Sequence, residues 1–326
     1  MIKRKYPKVS IIIPLHNKTP YFYETVGRCL ELDYPKFEIL IGVDGNTKVS
    51  FCDKRIRVLR TGSKNTGPAE KRDMGIRKAK GNIIAFLDDD SYPEEDWLKM
   101  SVKLLNAKKV AAVCGPGLTP QWDSYSQLIT GGILSSLFGS GPYYYRFTKG
   151  KPRFVDDYPA YNMIINKSDL NEIGGFGTKF YGGEDTALCL KLVDAAKRIY
   201  YHPDIVIYHH RRHFPFEYTK QVGNVGLHRG YFVKKYPKTS LRITYFCPAL
   251  FTLGFVIFLI LALFESRIII LSLILFWIFY SLVLIESANR NSFFVNLLIP
   301  FAIIINYLAY GIKFIQGLVF TGNLER

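Results

Sequence analysis

Three consecutive carboxylates, Asp88-Asp89-Asp90, directly follow the apolar run Ile83-Ile84-Ala85-Phe86-Leu87. Like charges packed at the end of a strand repel one another unless a cation or a basic side chain answers them. In an extended segment the side chains of residues i and i+2 point to one side. Asp88 and Asp90 are therefore expected to aim at one ion, and Asp89 away from it. Hard oxygen donors suit Mg2+ or Mn2+, which can in turn bridge phosphate oxygens. A second acidic pair, Glu184-Asp185, follows Gly182-Gly183 and opens a helix-like segment; acidic residues suit a first helical turn even without a chemical role. His209-His210 ends a β-branched run and precedes Arg211-Arg212. Either imidazole is a candidate ligand, and side-chain chemistry alone does not choose between them.

The elements that must position these groups are legible in outline. Strands are expected at 9–13, 38–43, 56–59, 83–87 and 110–114, and helices at 20–32, 68–80 and 97–107. Such alternation predicts an open, mostly parallel α/β sheet, in which ligands gather at the carboxyl ends of the strands. Asp44, in Val43-Asp44-Gly45, and the aspartate triplet both fall at such ends. Lys71, in the second helix, is expected on a solvated face. Residues 115–160 are rich in Gly and Pro and carry Tyr143-Tyr144-Tyr145; a helix over 125–138 and a place on the acceptor side are expected. A strand near 161–165, a turn at Gly174-Gly175-Phe176, a helix over 184–196 and a strand over 205–208 complete this part.

With 48% apolar and 21% charged residues among 326, the chain reads as folded rather than disordered. Its net charge of +16 admits three kinds of partner: nucleic acid, an anionic membrane surface, or phosphorylated small molecules. No nucleic-acid-binding module is recognisable, so nucleic acid is not expected as a partner. The five cysteines are scattered without a CxxC pair, which implies neither a zinc site nor a disulfide framework and suits a reducing compartment. Ile11-Ile12-Ile13, broken by Pro14, is not expected to act as a signal peptide. Three apolar segments, about 243–264, 268–286 and 293–319, approach or exceed the roughly 20 residues a bilayer requires. The first two are separated only by Glu265-Ser266-Arg267 and must form a tight hairpin. For the third, which contains Pro300, an interfacial or re-entrant helix is the alternative to a span. Lys234, Lys235, Lys238 and Arg242 precede the first segment and place the N-terminal part on the cytoplasmic side of a membrane.

Several ordered motifs add a resemblance. Val9-Ser10-Ile11-Ile12-Ile13-Pro14-Leu15-His16-Asn17, Asn65-Thr66-Gly67-Pro68-Ala69, Gly75-Ile76, Ala79-Lys80-Gly81 and Ala85-Phe86-Leu87-Asp88-Asp89-Asp90 resemble those of family 2 glycosyltransferases of the GT-A fold. So does Ile173-Gly174-Gly175-Phe176 followed by Gly182-Gly183-Glu184-Asp185. The resemblance covers about residues 8–235. It implies a GT-A, Rossmann-like catalytic domain; with the apolar segments this gives a domain over 1–240, with an interfacial helix near 215–238, and a transmembrane region of two to three helices over 241–326. It also implies roles. Pro14, Asn17, Asp44, Asn65, Arg72, Asp88 and Asp89 would serve nucleotide-sugar binding. Asp88 and Asp90, with His209 preferred over His210, would hold the metal. Asp185 would be the general base, with Glu184, Gly182 and Gly183 shaping the acceptor site. Gln221 and Arg229, in Gln221–Gly230, would lie on the acceptor side at the membrane. Two positions depart from the family pattern: a single aspartate precedes Gly45 where two are frequent, and Asp73 stands where asparagine is frequent.

The expected activity is inverting, metal-dependent transfer of a sugar from a UDP- or GDP-sugar to a hydroxyl of a lipid-linked glycan or polysaccharide. The expected site of action is the cytoplasmic face of the cell (inner) membrane, with the chain a multi-pass membrane protein. A polyprenyl-phosphate glycosyltransferase is one alternative, but its anionic acceptor has no proton to give and leaves Glu184-Asp185 without a task. A non-catalytic nucleotide-binding membrane scaffold is the other, and the full set of carboxylates counts against it.

Overall fold

The computed structural model describes residues 6–180, 182–288 and 292–324. Along the chain the strands are β1 (Val9–Pro14), β2 (Phe37–Val43), β3 (Ile56–Arg60), β4 (Ile83–Leu87), β5 (Ser91–Pro93), β6 (Ala112–Cys114), β7 (Gly117–Leu118), β8 (Arg153–Val155), β9 (Asn162–Asn166), β10 (Ile199–Tyr201) and β11 (Ile207–His209). The helices are α1 (Pro20–Leu30), α2 (Pro68–Lys78), α3 (Trp97–Lys108), α4 (Tyr125–Ser135), α5 (Leu137–Ser140), α6 (Lys167–Glu172), α7 (Glu184–Asp194), α8 (Phe216–Lys235), α9 (Pro237–Ser240), α10 (Ile243–Ala262), α11 (Ser266–Ser287) and α12 (Phe293–Ile315). They fall into two compact units: Met1–Leu118 with Thr148–His210, and Thr119–Phe147 with Arg211–Leu324. The compact units thus do not divide at residue 240. The segment 119–147 and helix α8 group with the apolar helices.

In the first unit an eight-stranded sheet runs in the order β3-β2-β1-β4-β9-β6-β10-β8. β1 to β4 are parallel neighbours, so the carboxyl ends of β2, β1 and β4 share one edge, with Pro14 beside Gly42 and Ile12 beside Phe86. β1, β2 and β4 are buried along their whole length, as continuous apolar strands covered on both faces must be. β9 enters antiparallel between β4 and β6, making the sheet mixed where alternation predicts a mostly parallel one. Local signals start the helices: Thr19 caps α1 and Pro20 fills its first position, while Pro68 opens α2 and Glu70 accepts the Gly67 N–H at 3.3 Å.

β11 joins a second, three-stranded sheet in the order β5-β11-β7. Its antiparallel pairing sets His209 opposite Ser91, one residue beyond the aspartate triplet. Asn162 ties the two sheets, donating to the carbonyls of Gly115 (2.6 Å) and Ile205 (2.8 Å) and accepting from the Trp97 indole at 2.9 Å. This buried amide is thereby satisfied, which a polar group there requires.

In the second unit α12 is the inner helix, with Val295, Ile299, Ala302, Ile303 and Phe314 buried. α10 and α11 instead expose most of their Leu, Ile and Phe side chains. All three are long and apolar enough to cross a membrane. α8 presses glycines onto α12 and the turn that follows it. A Cβ on Gly226 would overlap the carbonyl oxygen of Tyr310, and one on Gly230 that of Phe314. Backbone cannot yield as a side chain can, so Gly230→Val must push the helices apart, at about 1–3 kcal/mol for overpacking of this kind. Detergent-purified Gly230→Val is expected to unfold several degrees earlier than the parent. Gly254→Ala, with open space around it, is expected to leave the midpoint unchanged or higher.

Candidate active site

The carboxyl-edge residues of the first unit converge on Arg72. Its guanidinium is buried and meets three carboxylates: Asp88 Oδ1 at 2.7 Å, Glu184 Oε1 at 3.1 Å and Asp185 Oδ1 at 3.4 Å. Burial alone would lower the Arg72 pKa, but the three acids together raise it. The next residue, Asp73, accepts the N–H groups of Phe176 (2.8 Å) and Gly177 (2.9 Å). One turn of α2 thus fixes both β4's end and the loop leading to α7. Gly182 and Gly183 take φ of 108° and 81°, a region where a side chain is strained. The Gly182 N–H donates to Glu184 Oε2 at 2.9 Å, so the glycines and Glu184 form one built turn at the start of α7. Burial and the Glu184 carboxylate push Asp185 up to about 7, against the pull of Arg72 and the Ala160 N–H.

Asp88, Asp90 and His209 offer three ligand atoms within 4.8 Å of one another. His209 Nε2 stands 2.9 Å from Asp90 Oδ1, and its Nδ1 is buried without a hydrogen-bond partner among the described residues. Two carboxylates and an imidazole fit a divalent cation of the Mg2+–Mn2+ kind. His210 is engaged elsewhere, bonded to Glu24 at 3.0 Å and stacked on Tyr21 at 3.9 Å between ring centroids. The structure therefore separates the two histidines that the sequence alone leaves equal. Asp89 turns from the cluster, and its Oδ2 accepts the His16 N–H at 2.7 Å. Burial and Asp90 push it up to about 7.

Pro14 ends β1, buried, with Asn17 exposed just beyond it. Asp44, at the end of β2, accepts the Thr66 N–H at 3.0 Å and pairs with Lys71 at 3.2 Å. Burial works to raise its pKa, and these two partners outweigh that and hold it below the ordinary value. Lys71 is thus not on a solvated face. It is buried, and it also donates to the Leu15 carbonyl at 2.7 Å. Asn65 sits in a left-handed turn (φ 61°) and lines a cavity of about 200 Å3 with Glu70 and Thr178. Gln221 and Arg229 lie on α8, in the second unit. Sequence reasoning missed Lys71, Glu24 and Asn162, whose partners are 27 or more residues away in the chain.

A family model described as glycosyl transferase family 2 matches residues 10–174, half of the chain. The chain belongs to that family. That membership counts against the non-catalytic scaffold. Dolichyl N-acetyl-alpha-D-glucosaminyl phosphate 3-beta-D-2,3-diacetamido-2,3-dideoxy-beta-D-glucuronosyltransferase of Methanococcus voltae is 27% identical over 247 residues, covering 70% of this chain and 74% of that protein. An uncharacterized glycosyltransferase of Rickettsia bellii (strain RML369-C) is 34% identical over 103 residues, covering 30% of this chain. The match covers only 15% of that relative's length, and 42% of a similar one from Haemophilus influenzae. Among solved structures, the mannosyltransferase PcManGT from Pyrobaculum calidifontis, in complex with GDP-Man and Mn2+, aligns over 97% of this chain and 88% of its own. Its TM-score is 0.54 at 17% identity, a likeness of fold. The glycosyltransferase thus has the GT-A fold expected from its motifs.

Arg72 supplies the charge that lets three acids share one edge. Arg72→Met leaves them uncompensated, and breaking a buried pair of this kind costs about 3–5 kcal/mol. Protonation of Asp185, which is pushed up to about 7, removes part of the unanswered negative charge as pH falls. The deficit against the parent, read by denaturant unfolding, is therefore expected to be largest at about pH 8 and to shrink towards about pH 5.5.

Proposed function

We propose that this glycosyltransferase moves a sugar from a UDP- or GDP-sugar, with inversion, to a hydroxyl of a lipid-linked glycan or polysaccharide. The first unit is then the catalytic domain, on the cytoplasmic face of the cell membrane, and α10–α12 the multi-pass anchor. The observation that carries the reading is the linkage, through Arg72, of the Asp88–Asp90–His209 cluster to Asp185. Two kinds of chemistry, phosphate departure and proton removal, thus meet on one edge of the sheet.

Asp88, Asp90 and His209 would hold Mg2+ or Mn2+. Bound there, such a cation would supply electrostatic stabilisation to the departing nucleoside diphosphate. Pro14, Asn17, Asp44 and Asn65 receive the nucleotide, and Asp89 sets the loop after β1 by accepting its N–H groups. Arg72 orients Asp88 and lends positive charge beside the diphosphate. Asp185 takes the proton of the acceptor hydroxyl, and a carboxyl near 7 is well matched to that task at neutral pH. Glu184, Gly182 and Gly183 shape the acceptor side. A single displacement by the hydroxyl inverts the anomeric centre. The Methanococcus relative, named for a dolichyl phosphate-linked acceptor, supports a lipid-linked acceptor. The neighbour's GDP-Man and Mn2+ support a nucleotide-sugar donor and a metal. The basic residues before α10 support the cytoplasmic orientation.

The test is a donor and acceptor screen on the full chain, with and without Mn2+. Asp185→Asn is expected to lose about 10²–10⁴-fold in transfer while still binding the donor. Turnover unchanged in that variant would mean Asp185 is not the base. Asp90→Asn is expected to abolish the response to metal. Because Asp185 acts as a base only when ionised, parent activity should rise about tenfold per pH unit up to about 7 and level off above it. A profile flat from about pH 5.5 to 8 would contradict proton removal by this carboxyl.

A further inference from the structure

We propose that an arginine–tyrosine stack at the start of α10 binds a phosphate group carried on a membrane lipid. Its members all belong to the second unit. The rings of Tyr143 and Tyr245 stack with centroids 5.3 Å apart and planes at 14°. The Arg146 guanidinium lies 4.7 Å from the centroid of Tyr143, and that of Arg229 lies 4.6 Å from the centroid of Tyr245. A third guanidinium, Arg242, hydrogen-bonds the Tyr143 side chain, whose hydroxyl also lies 3.4 Å from Thr244 Oγ1. Tyr310 of α12 packs in the same cluster with Tyr245. It is 8% exposed, and its hydroxyl has no hydrogen-bond partner among the described residues. A buried hydroxyl in that condition calls for a ligand or a water.

Three features point to a lipid-borne phosphate. First, guanidinium groups present forked donors that match phosphate oxygens, and this stack gathers three of them. Second, the second unit is strongly basic, with twelve Lys and Arg against four Asp and Glu. Such a basic unit favours an anionic ligand. Third, Arg242 is the residue immediately before α10, the first helix able to cross a bilayer, and Tyr245 lies in its first turn. Tyr and Arg at that level sit among lipid headgroups.

The inference deepens the reading of a lipid-linked acceptor and rests on it. The stack grips the lipid phosphate, while the reacting hydroxyl belongs to the sugar attached to it. The test uses the full chain in dodecyl maltoside, with farnesyl phosphate, farnesol, dihexanoyl phosphatidylglycerol and inorganic phosphate as probes. Farnesyl phosphate is expected to bind, with Kd raised at least about tenfold in Arg229→Gln and Arg242→Gln, the loss of one charge-assisted phosphate contact. Arg267→Gln, beyond the far end of α10 and exposed, is expected to leave Kd unchanged. Should the glutamine variants fail to fold, Arg242→Lys and Tyr310→Phe decide, each expected to weaken binding severalfold. Preference for farnesyl phosphate over the phosphatidylglycerol assigns the site to an isoprenoid phosphate, and equal binding assigns it to lipid headgroups. Farnesol or inorganic phosphate binding as tightly as farnesyl phosphate, or variants with unchanged Kd, would overturn the proposal. Sugar-nucleotide binding with Mn2+ is measured on the same preparations. Its failure would count against the transferase reading while leaving the lipid arm to be judged by itself.

Discussion

Arg72 is the charge on which the edge of the first unit depends. A guanidinium taken out of water costs several kcal/mol unless it is paired and hydrogen-bonded. Here the partners are Asp88 from the end of β4 and Glu184 and Asp185 from the first turn of α7. The dependence runs both ways, because three carboxylates crowded at one site cannot all ionise without a nearby cation. α2, β4 and α7 are therefore held in mutual register by one side chain. Asp73 continues the constraint, since both of its oxygens are spent on backbone N–H groups of the turn before α7. At this position an asparagine would offer one acceptor oxygen for two donors. The departure from the family's frequent asparagine thus has a local structural use.

The same edge shows how charge is partitioned between holding the fold and serving chemistry. Lys71 and Asp44 form a pair one step along the edge, joined to the β1 loop through the Leu15 carbonyl. Glu24 and His210 form another, and the His210 N–H also bonds the Asp90 carbonyl. These pairs anchor the main chain on either side of Asp88, Asp90 and His209, the proposed metal ligands. Asp88, Asp90 and His209 keep their ligand atoms together because the strands beneath them are fixed from outside the cluster.

Much of this was legible in the sequence, for physical reasons that also explain where legibility stops. Long apolar runs announce buried strands, so β1, β2 and β4 were expected, and with them the strand-end positions of Asp44 and Asp88. Extended alternation is the sequence's reason for expecting Asp89 to point away from Asp88 and Asp90; in the structure Asp89 and Asp90 lie in a turn, and Asp89 is held by the His16 N–H. Periodicity does not encode the direction in which a strand pairs, so the antiparallel entry of β9 left no local trace. β5, β7 and β10, at two or three residues each, are too short to carry a pattern. Lys71 read as solvated because α2 is polar nearly throughout, and its counter-charge lies 27 residues away. His209 and His210 were indistinguishable until the pairing of β11 with β5 set one opposite Ser91. Composition placed a boundary near 240 because hydropathy changes there. α8 is only weakly apolar, yet its glycines bring it against α12 backbone to backbone, and so it groups with the apolar helices.

That last contrast bears on how the second unit holds together. Apolar helices gain little from burying one another in an apolar solvent, so close packing and internal hydrogen bonds must do more of the joining. α12 has both. Gly226 and Gly230 admit its backbone, and Asn306 accepts from the Tyr218 hydroxyl at 2.8 Å. Tyr307 donates to the Phe138 carbonyl at 2.6 Å. α10 and α11, by contrast, present outward-facing Leu, Ile and Phe along most of their length. Even so, α11 is tied at one point, where Glu286 accepts from Ser136 Oγ and the Leu137 N–H. A carboxylate at the end of an apolar helix is thereby given donors at the start of α5, where the helix dipole favours negative charge. Asn306, Tyr307 and Glu286 thus join the apolar helices to α8, to α5 and to the residue before α5. That division would let the outer faces of α10 and α11 meet lipid while α12 stays fixed by its polar and glycine contacts.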